Sequence, residues 1–391
     1  MQRIVENVFF ALIRFEVNGD ELCDEMKNLI TPEMLPALFK LSKRHDLAHL
    51  IGDALDKNGF LEEGSQERRN FLKERSMAIY RVEQLQYEYE QVVAVLETLG
   101  VEYLPLKGSV LRKYYPEDWM RTSADIDILT HEQDLGNIIK ALQETLGYEK
   151  DSIDAYDAVM ISPSGFHVEL HFDLITSYDN AAAHEILSKV WNFTNCVDGC
   201  CRKEMKDEYF YYYHVAHMAR HFIDGGCGIR PFLDVWLLNH KCIFNKSTRN
   251  KLLKKGGLLK FAKASEEIAE TWLSGMPYSE EGKLFEDFVL KGGVYGSTDN
   301  KIIIQQGKSG GRFKYILRRI FMPYEELKYK YPILKRHKYL YPLMLLRRCF
   351  FAVFTKKSKQ IKKEMQISAE SSKINQEETI KLIDYLGLKE I

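Results

Sequence analysis

Apolar residues recur at helical spacing through the first hundred positions. In "TPEMLPALFKLSKRHDLAHLIGDAL" the residues Leu35, Leu38, Phe39, Leu41 and Leu47 supply one stripe, and Thr31 ahead of Pro32 has the chemistry of a helix start. "ERRNFLKERSMAIYRVEQLQYEYEQVVAVLETLG" predicts a long amphipathic helix that Gly100 ends. Beyond it the period shortens to strict alternation. "VEYLPL" (101–106) predicts a short apolar strand, "ADIDIL" a second, and "DAVMISPSGFHVELHFDLI" two more around the turn "SPSG", with a helix near "HEQDLGNIIKALQETLG" between them. Helical spacing dominates again from 181 to about 290. The glycine-rich "FVLKGGVYGSTDNKIIIQQGKSGGRF" reads as a loop or short hairpin, and the polar tail carries one terminal helix. The pattern divides the chain into an N-terminal helical region (1–100), a mixed α/β core (101–180), a second helical region (181–300) and a basic amphipathic segment with its tail (301–391). The class is α+β: a small mixed β-sheet enclosed by helical regions on both sides in sequence.

The alternation has a chemical consequence in the second strand. Successive side chains point to opposite faces, so Asp125 and Asp127 project together while Ile126 and Ile128 point the other way. Aspartate is a poor strand former and like charges on one face repel, so the arrangement needs compensation. A divalent cation such as Mg²⁺ would supply it. An edge strand with an acidic solvent face is the plainer alternative. In "HVELHFDL" the residues Val168, Leu170, Phe172 and Leu174 share one face, and His167, Glu169, His171 and Asp173 the other. Beside the "DIDIL" strand, Glu169 would join the two aspartates. A zinc site from His167, His171 and Asp173 competes, although nothing else in the chain has zinc-ligand spacing.

Upstream, Lys107-Gly108-Ser109 lies between the first strand and a helical start with Val110, Leu111 and Tyr114 on one face. A strand turning through Gly-Ser into a helix can cradle phosphate with backbone N–H groups and a hydroxyl. Ser109 serves equally well as a plain helix cap. Lys107 and Arg121 would add positive charge for the outer phosphates of a nucleotide, or stand as ordinary surface cations.

The order Gly-Ser, helix, Asp-x-Asp strand, later carboxylate strand is similar to the nucleotidyltransferase superfamily typified by DNA polymerase beta. More closely, "LPLKGSVL", the following Tyr-Pro, Arg121, "DIDIL" and "HVELHFDL" resemble the bacterial uncharacterised nucleotidyltransferase family. The resemblance spans roughly residues 35 to 350, and its specific part lies between 104 and 174. It implies a polymerase beta-like core in which Asp125, Asp127 and Glu169 are catalytic and hold Mg²⁺, or Mn²⁺ in its place. Two ions are implied, one of them shared with the triphosphate, with Glu169 completing the second site or orienting the acceptor. Gly108 and Ser109 would hold the terminal phosphates. A nucleoside triphosphate is the implied donor, and an acceptor of unknown identity, a small molecule or a protein, receives the nucleoside monophosphate as pyrophosphate leaves.

His214, His217 and His221 recur at spacings of three and four, "GGCG" ends their helix, and Arg230 and Asp234 follow at the head of the next. The resemblance places a nucleotide-binding and acceptor-side surface here, so His217, Arg230 and Asp234 join Lys107, Gly108, Ser109 and Arg121 as nucleotide-binding candidates. Histidines that satisfy a helical core, with Arg230 pairing Asp234 locally, are the alternative; a metal held by the three histidines is another.

Composition narrows the class further. At 391 residues and 45% hydrophobic, with 22 Tyr and 21 Phe, the chain has ample material for a buried core. Seven cysteines at irregular positions form no disulfide framework, and "MQRIVENVFFALIRF" lacks a signal-peptide pattern, so a cytoplasmic protein is expected. The net charge of −1 conceals an asymmetry: residues 308–363 hold 17 Lys and Arg against two Glu, about +15, leaving about −16 for the rest. The basic stretch could close over the core with its cations in solvent, lie on an anionic membrane surface at the inner face, or meet nucleic acid. An acidic remainder argues against long nucleic acid as a partner. The same metal site could serve nucleotide-dependent phosphoryl transfer, and a catalytically silent module acting at a membrane or protein partner is the non-enzymatic alternative.

Overall fold

The computed structural model describes residues 2–174, 181–277, 279–294, 296, 298–309, 321–322, 333–354 and 373–389, with single residues between 314 and 331. Much of the basic stretch 308–363 therefore lies outside the described residues. Two compact units divide the chain: Met1–Ala216 with Ile229–Pro277, and His217–Gly228 with Tyr278–Ile391.

In the first unit, helices α1 (Gln2–Val17), α2 (Asp24–Leu29), α3 (Leu35–Arg44), α4 (Ala48–Lys57) and α5 (Gln66–Leu99) precede the sheet. The long α5 opens where the Ser65 hydroxyl accepts the Arg68 N–H and closes at Gly100, whose φ of 66° is one that side chains disfavour. Helix α4 packs on α5 so closely that a Cβ at Gly52 would lie 2.8 Å from Phe71 Cβ.

The sheet contains β1 (Tyr103–Pro105), β2 (Asp125–Thr130), β3 (Glu149–Ile153), β4 (Asp157–Ile161) and β5 (His167–His171) in the order β1-β2-β5-β4-β3. Only the central pair, β2 with β5, is parallel; the others are antiparallel. The short helix α6 (Gly108–Leu111) and helix α7 (Leu135–Leu146) lie between strands. Ile126, Ile128, Ala158, Met160, Val168 and Leu170 bury one sheet face against α5 and α7. The opposite face is left to carry the charged side chains, as period-two alternation requires.

Helix α8 (Ala181–Leu187) leads into a two-stranded hairpin, β6 (Thr194–Cys196) with β7 (Lys203–Met205), in a stretch where helical spacing dominates the sequence. Its turn contains Asp198-Gly199, the short-range hairpin signal, with Gly199 at φ 77°. Helices α9 (Asp207–Ile223), α10 (Arg230–Lys241), α11 (Lys246–Lys255) and α12 (Leu259–Ser274) follow, and Phe10 of α1 stacks on Trp272 of α12 at 4.7 Å.

The second unit includes the end of α9 with α13 (Glu280–Gly292), α14 (Thr298–Ser309), α15 (Ile333–Arg336), α16 (Tyr341–Phe354) and α17 (Lys373–Leu386). Helix α14 occupies residues expected to be a loop or hairpin. Its isoleucine run has strand propensity, but Ile302 and Ile304 are buried and α14 packs on α17, so packing overrides local preference. The terminal helix, α17, forms as expected. Among the described residues no helix is long and apolar enough to cross a membrane.

Candidate active site

The two aspartates sit on an interior strand. β2 lies between β1 and β5, and Asp127 is 2% exposed, so an acidic solvent edge does not describe it. Parallel pairing sets Asp125 opposite His167 and Asp127 opposite Glu169. Lys107 Nζ lies 2.6 Å from Asp127 Oδ1 and 3.8 Å from Glu169 Oε2. His171 Nε2 lies 2.9 Å from the same Asp127 oxygen and 3.3 Å from Glu169 Oε2, while its Nδ1 lies 3.9 Å from Asp157 Oδ2 on β4.

Electrostatics separates the carboxyl groups. Burial, then the neighbouring charge of Asp127, pushes the Asp125 carboxyl up to about 6, although Lys107 opposes the rise. Burial also works against an ionised Asp127, but Lys107 and His171 outweigh it and hold that carboxyl well below the usual range. Burial alone would lower both cationic groups; the Asp127 contact instead raises Lys107, and hydrogen bonds with Asp127 and Glu169 raise His171.

The donor set fits a divalent cation. Ligand atoms of Asp127, Glu169 and His171 all lie within 4.8 Å of one another, and this is the one such group of three among the described residues. Two carboxylates with a single imidazole, and a third carboxyl on the same face, are donors that a divalent cation accepts. The alternative trio His167, His171 and Asp173 does not close, because His171 turns to Asp127.

Lys107, Gly108 and Ser109 form the turn from β1 into α6, close against the carboxylates. Leu106 N–H donates to Asp127 O at 3.0 Å, tying the turn to β2. Lys107 itself occupies the helix-cap position with φ 44°, so Ser109 is not the cap. Gly108 packs closely on Ser123: a Cβ there would lie 3.1 Å from Ser123 Oγ. Arg112 also holds this region, donating from Nε to Arg121 O at 3.2 Å and from Nη2 to Ser123 Oγ. Its burial, then the nearby Arg121, pushes the guanidinium down to about 10.

Arg121, Arg230 and Asp234 make their bonds around the segment before β2. Arg121 makes a two-pronged pair with Asp234, Nε to Oδ1 at 2.8 Å and Nη2 to Oδ2 at 2.9 Å, and Tyr115 OH donates to the same carboxylate at 2.8 Å. The hydrogen bonds of Arg230 run to Thr122 O at 2.9 Å and to Asp46, where a local Arg230–Asp234 pair was the plainer expectation. Thr122 Oγ1 donates to Asp46 at 3.0 Å, and His49 Nε2 meets Met120 O at 3.2 Å. Together these bonds hold residues 120–123, the segment that delivers β2. His214 is buried against Pro231 O at 3.2 Å, and in the second unit His217 and His221 approach each other at 3.3 Å between Nε2 atoms.

Arg112 was not singled out for the site by the sequence, and His171 was named there only as a ligand of the competing zinc site. His171 shares the Glu169 face by alternation, and that signal marked it; Arg112 gave none, since its partners are set by the turn at 121–123. Neither a curated protein nor a solved structure gives a significant match. The model of one family, the uncharacterised nucleotidyltransferases, matches residues 32–274, which include the whole sheet and all the carboxylates described above. The chain belongs to that uncharacterised nucleotidyltransferase family.

Proposed function

We propose that the protein moves a nucleoside monophosphate from a nucleoside triphosphate to an acceptor hydroxyl, phosphate or amine, with pyrophosphate leaving. The observation that carries this reading is the pairing of Asp127 with Glu169 across β2 and β5, with Asp125 on the same face and Lys107 against both partners. Asp125, Asp127 and Glu169 are the residues that would hold Mg²⁺, or Mn²⁺ in its place, with His171 completing the donor set. When bound, the cation neutralises phosphate charge and makes an acceptor hydroxyl easier to deprotonate.

The protein's own groups position the reactants. Lys107 brings a fixed positive charge to the carboxylate face, and Gly108 and Ser109 let the backbone approach the triphosphate. Glu169, more open than Asp127, is placed to orient the acceptor. In the transfer, the acceptor-to-α-phosphorus bond forms as the α–β bridging P–O bond breaks, and the acceptor's proton passes to the carboxylate face. Positioning and charge neutralisation account for most of such a rate, so no nucleophilic Cys or Ser is needed. Arg121, Arg230, Asp234 and Asp46 hold the segment before Asp125.

Isothermal titration with each of the four NTPs, in Mg²⁺ and in EDTA, tests the reading. One or more NTPs should bind only with Mg²⁺, and Asp127→Asn should weaken that binding at least tenfold. Binding of equal strength in EDTA, or by the variant, would remove the proposal.

A further inference from the structure

Lys107 brings a cation of the chain's own into the carboxylate cluster. Its ammonium spans the two register partners, 2.6 Å from Asp127 and 3.8 Å from Glu169. In a two-ion site a shared carboxylate offers one oxygen to each ion. Here Asp127 Oδ1 already receives the Lys107 ammonium at 2.6 Å. Among the described residues no hydrogen bond reaches its Oδ2, so one oxygen is left for one ion.

The backbone fixes this arrangement. Lys107 adopts φ 44° and ψ −120°, a conformation that favours glycine, yet a lysine stands there. Its neighbours pin the turn: Leu106 N–H bonds Asp127 O at 3.0 Å, and Ser109 N–H bonds Leu106 O at 3.2 Å. The ammonium is thus delivered from the turn after β1, the strand beside the one that carries Asp127.

We propose that Lys107 serves as a built-in replacement for one metal ion, and that the site takes a single divalent cation with its nucleotide. This inference rests on the nucleotidyl-transfer reading of the same site. It departs from the two-ion arrangement that the sequence resemblance implies.

Counting Mn²⁺ decides it. The aqueous ion's paramagnetic resonance signal is lost on binding, so bound ions per chain can be titrated with the protein saturated by the α,β-methylene analogues of the four NTPs. The wild type should take one Mn²⁺ per chain. Lys107→Met and Lys107→Gly should each take two, and the glycine variant suits the positive φ, so loss of folding cannot account for its result. Two ions in the wild type, or one in both neutral variants, would overturn the inference while leaving metal-dependent nucleotide binding intact. A wild type that binds neither analogue nor Mn²⁺ would overturn the nucleotidyl-transfer reading itself, and this inference with it.

Discussion

Arg121 and Asp234, 113 positions apart in the chain, meet in a two-pronged ion pair that is buried from water. It joins the segment before β2 to the head of α10, so the approach to β2 depends on a contact between distant parts of the sequence. Removing one partner strands a buried charge. Arg121→Met is expected to destabilise the protein by about 3–5 kcal/mol in chemical denaturation. Adding Asp234→Asn to that variant should recover part of the loss, since the uncompensated charge is then gone; a further loss equal to the Asp234→Asn effect alone would show that the pair is not coupled.

Asp127 receives both cationic neighbours and pairs with Glu169, so it is the carboxylate on which the site converges. Asp127→Asn should lower nucleotide transfer by roughly a hundredfold or more. Single-turnover kinetics would check this, with circular dichroism confirming that the fold persists.

Gly108 tests the turn. An added Cβ would lie 3.1 Å from Ser123 Oγ and 3.2 Å from Ser123 Cβ, tighter than ordinary contact. Gly108→Ala should therefore destabilise by about 1–3 kcal/mol. Ser123→Gly in the same chain opens that space and should restore part of the loss, measured as a shift in the denaturant midpoint.

His49 gives a pH dependence with a definite sign. Burial pushes its imidazole down to about 4 while its Nε2 meets Met120 O. The unfolded chain takes up this proton near pH 6.5, before the folded chain does, so stability is full above that pH and falls as pH drops toward 4. The loss amounts to about 3 kcal/mol for a depression of this size. His49→Gln should flatten that part of the stability profile between pH 7 and pH 4.5; an unchanged slope would contradict the assignment.

The sheet and its acidic face were legible because period two is local. "DIDIL" and "HVELH" each separate apolar from ionisable side chains without reference to anything distant, and Gly100 marks the end of α5 by itself. The parallel pairing that sets Asp127 opposite Glu169 joins strands separated by a helix and a hairpin, so alternation could only make it conditional. Charge partners were less legible. Arg230 and Asp234 are one helical turn apart, yet their hydrogen bonds run to Asp46 and Arg121, from the N-terminal helices and the β2 approach. Lys107 was read as a phosphate ligand, and its place against Asp127 depends on a backbone conformation that the residue type disfavours. Helix α14 differs for another reason: buried isoleucines in the second unit outweigh strand propensity.

The central claim is the transfer of a nucleotidyl group at the Asp125, Asp127 and Glu169 face. Its most direct test compares label from α-³²P and γ-³²P NTPs after incubation with Mg²⁺ and a mixture of cellular small molecules and proteins. The expected result is acid-stable product carrying only the α label, with pyrophosphate released, by the wild type and not by Asp127→Asn. Product labelled from the γ-phosphate would indicate phosphoryl transfer instead, and α label transferred equally by Asp127→Asn would contradict the site.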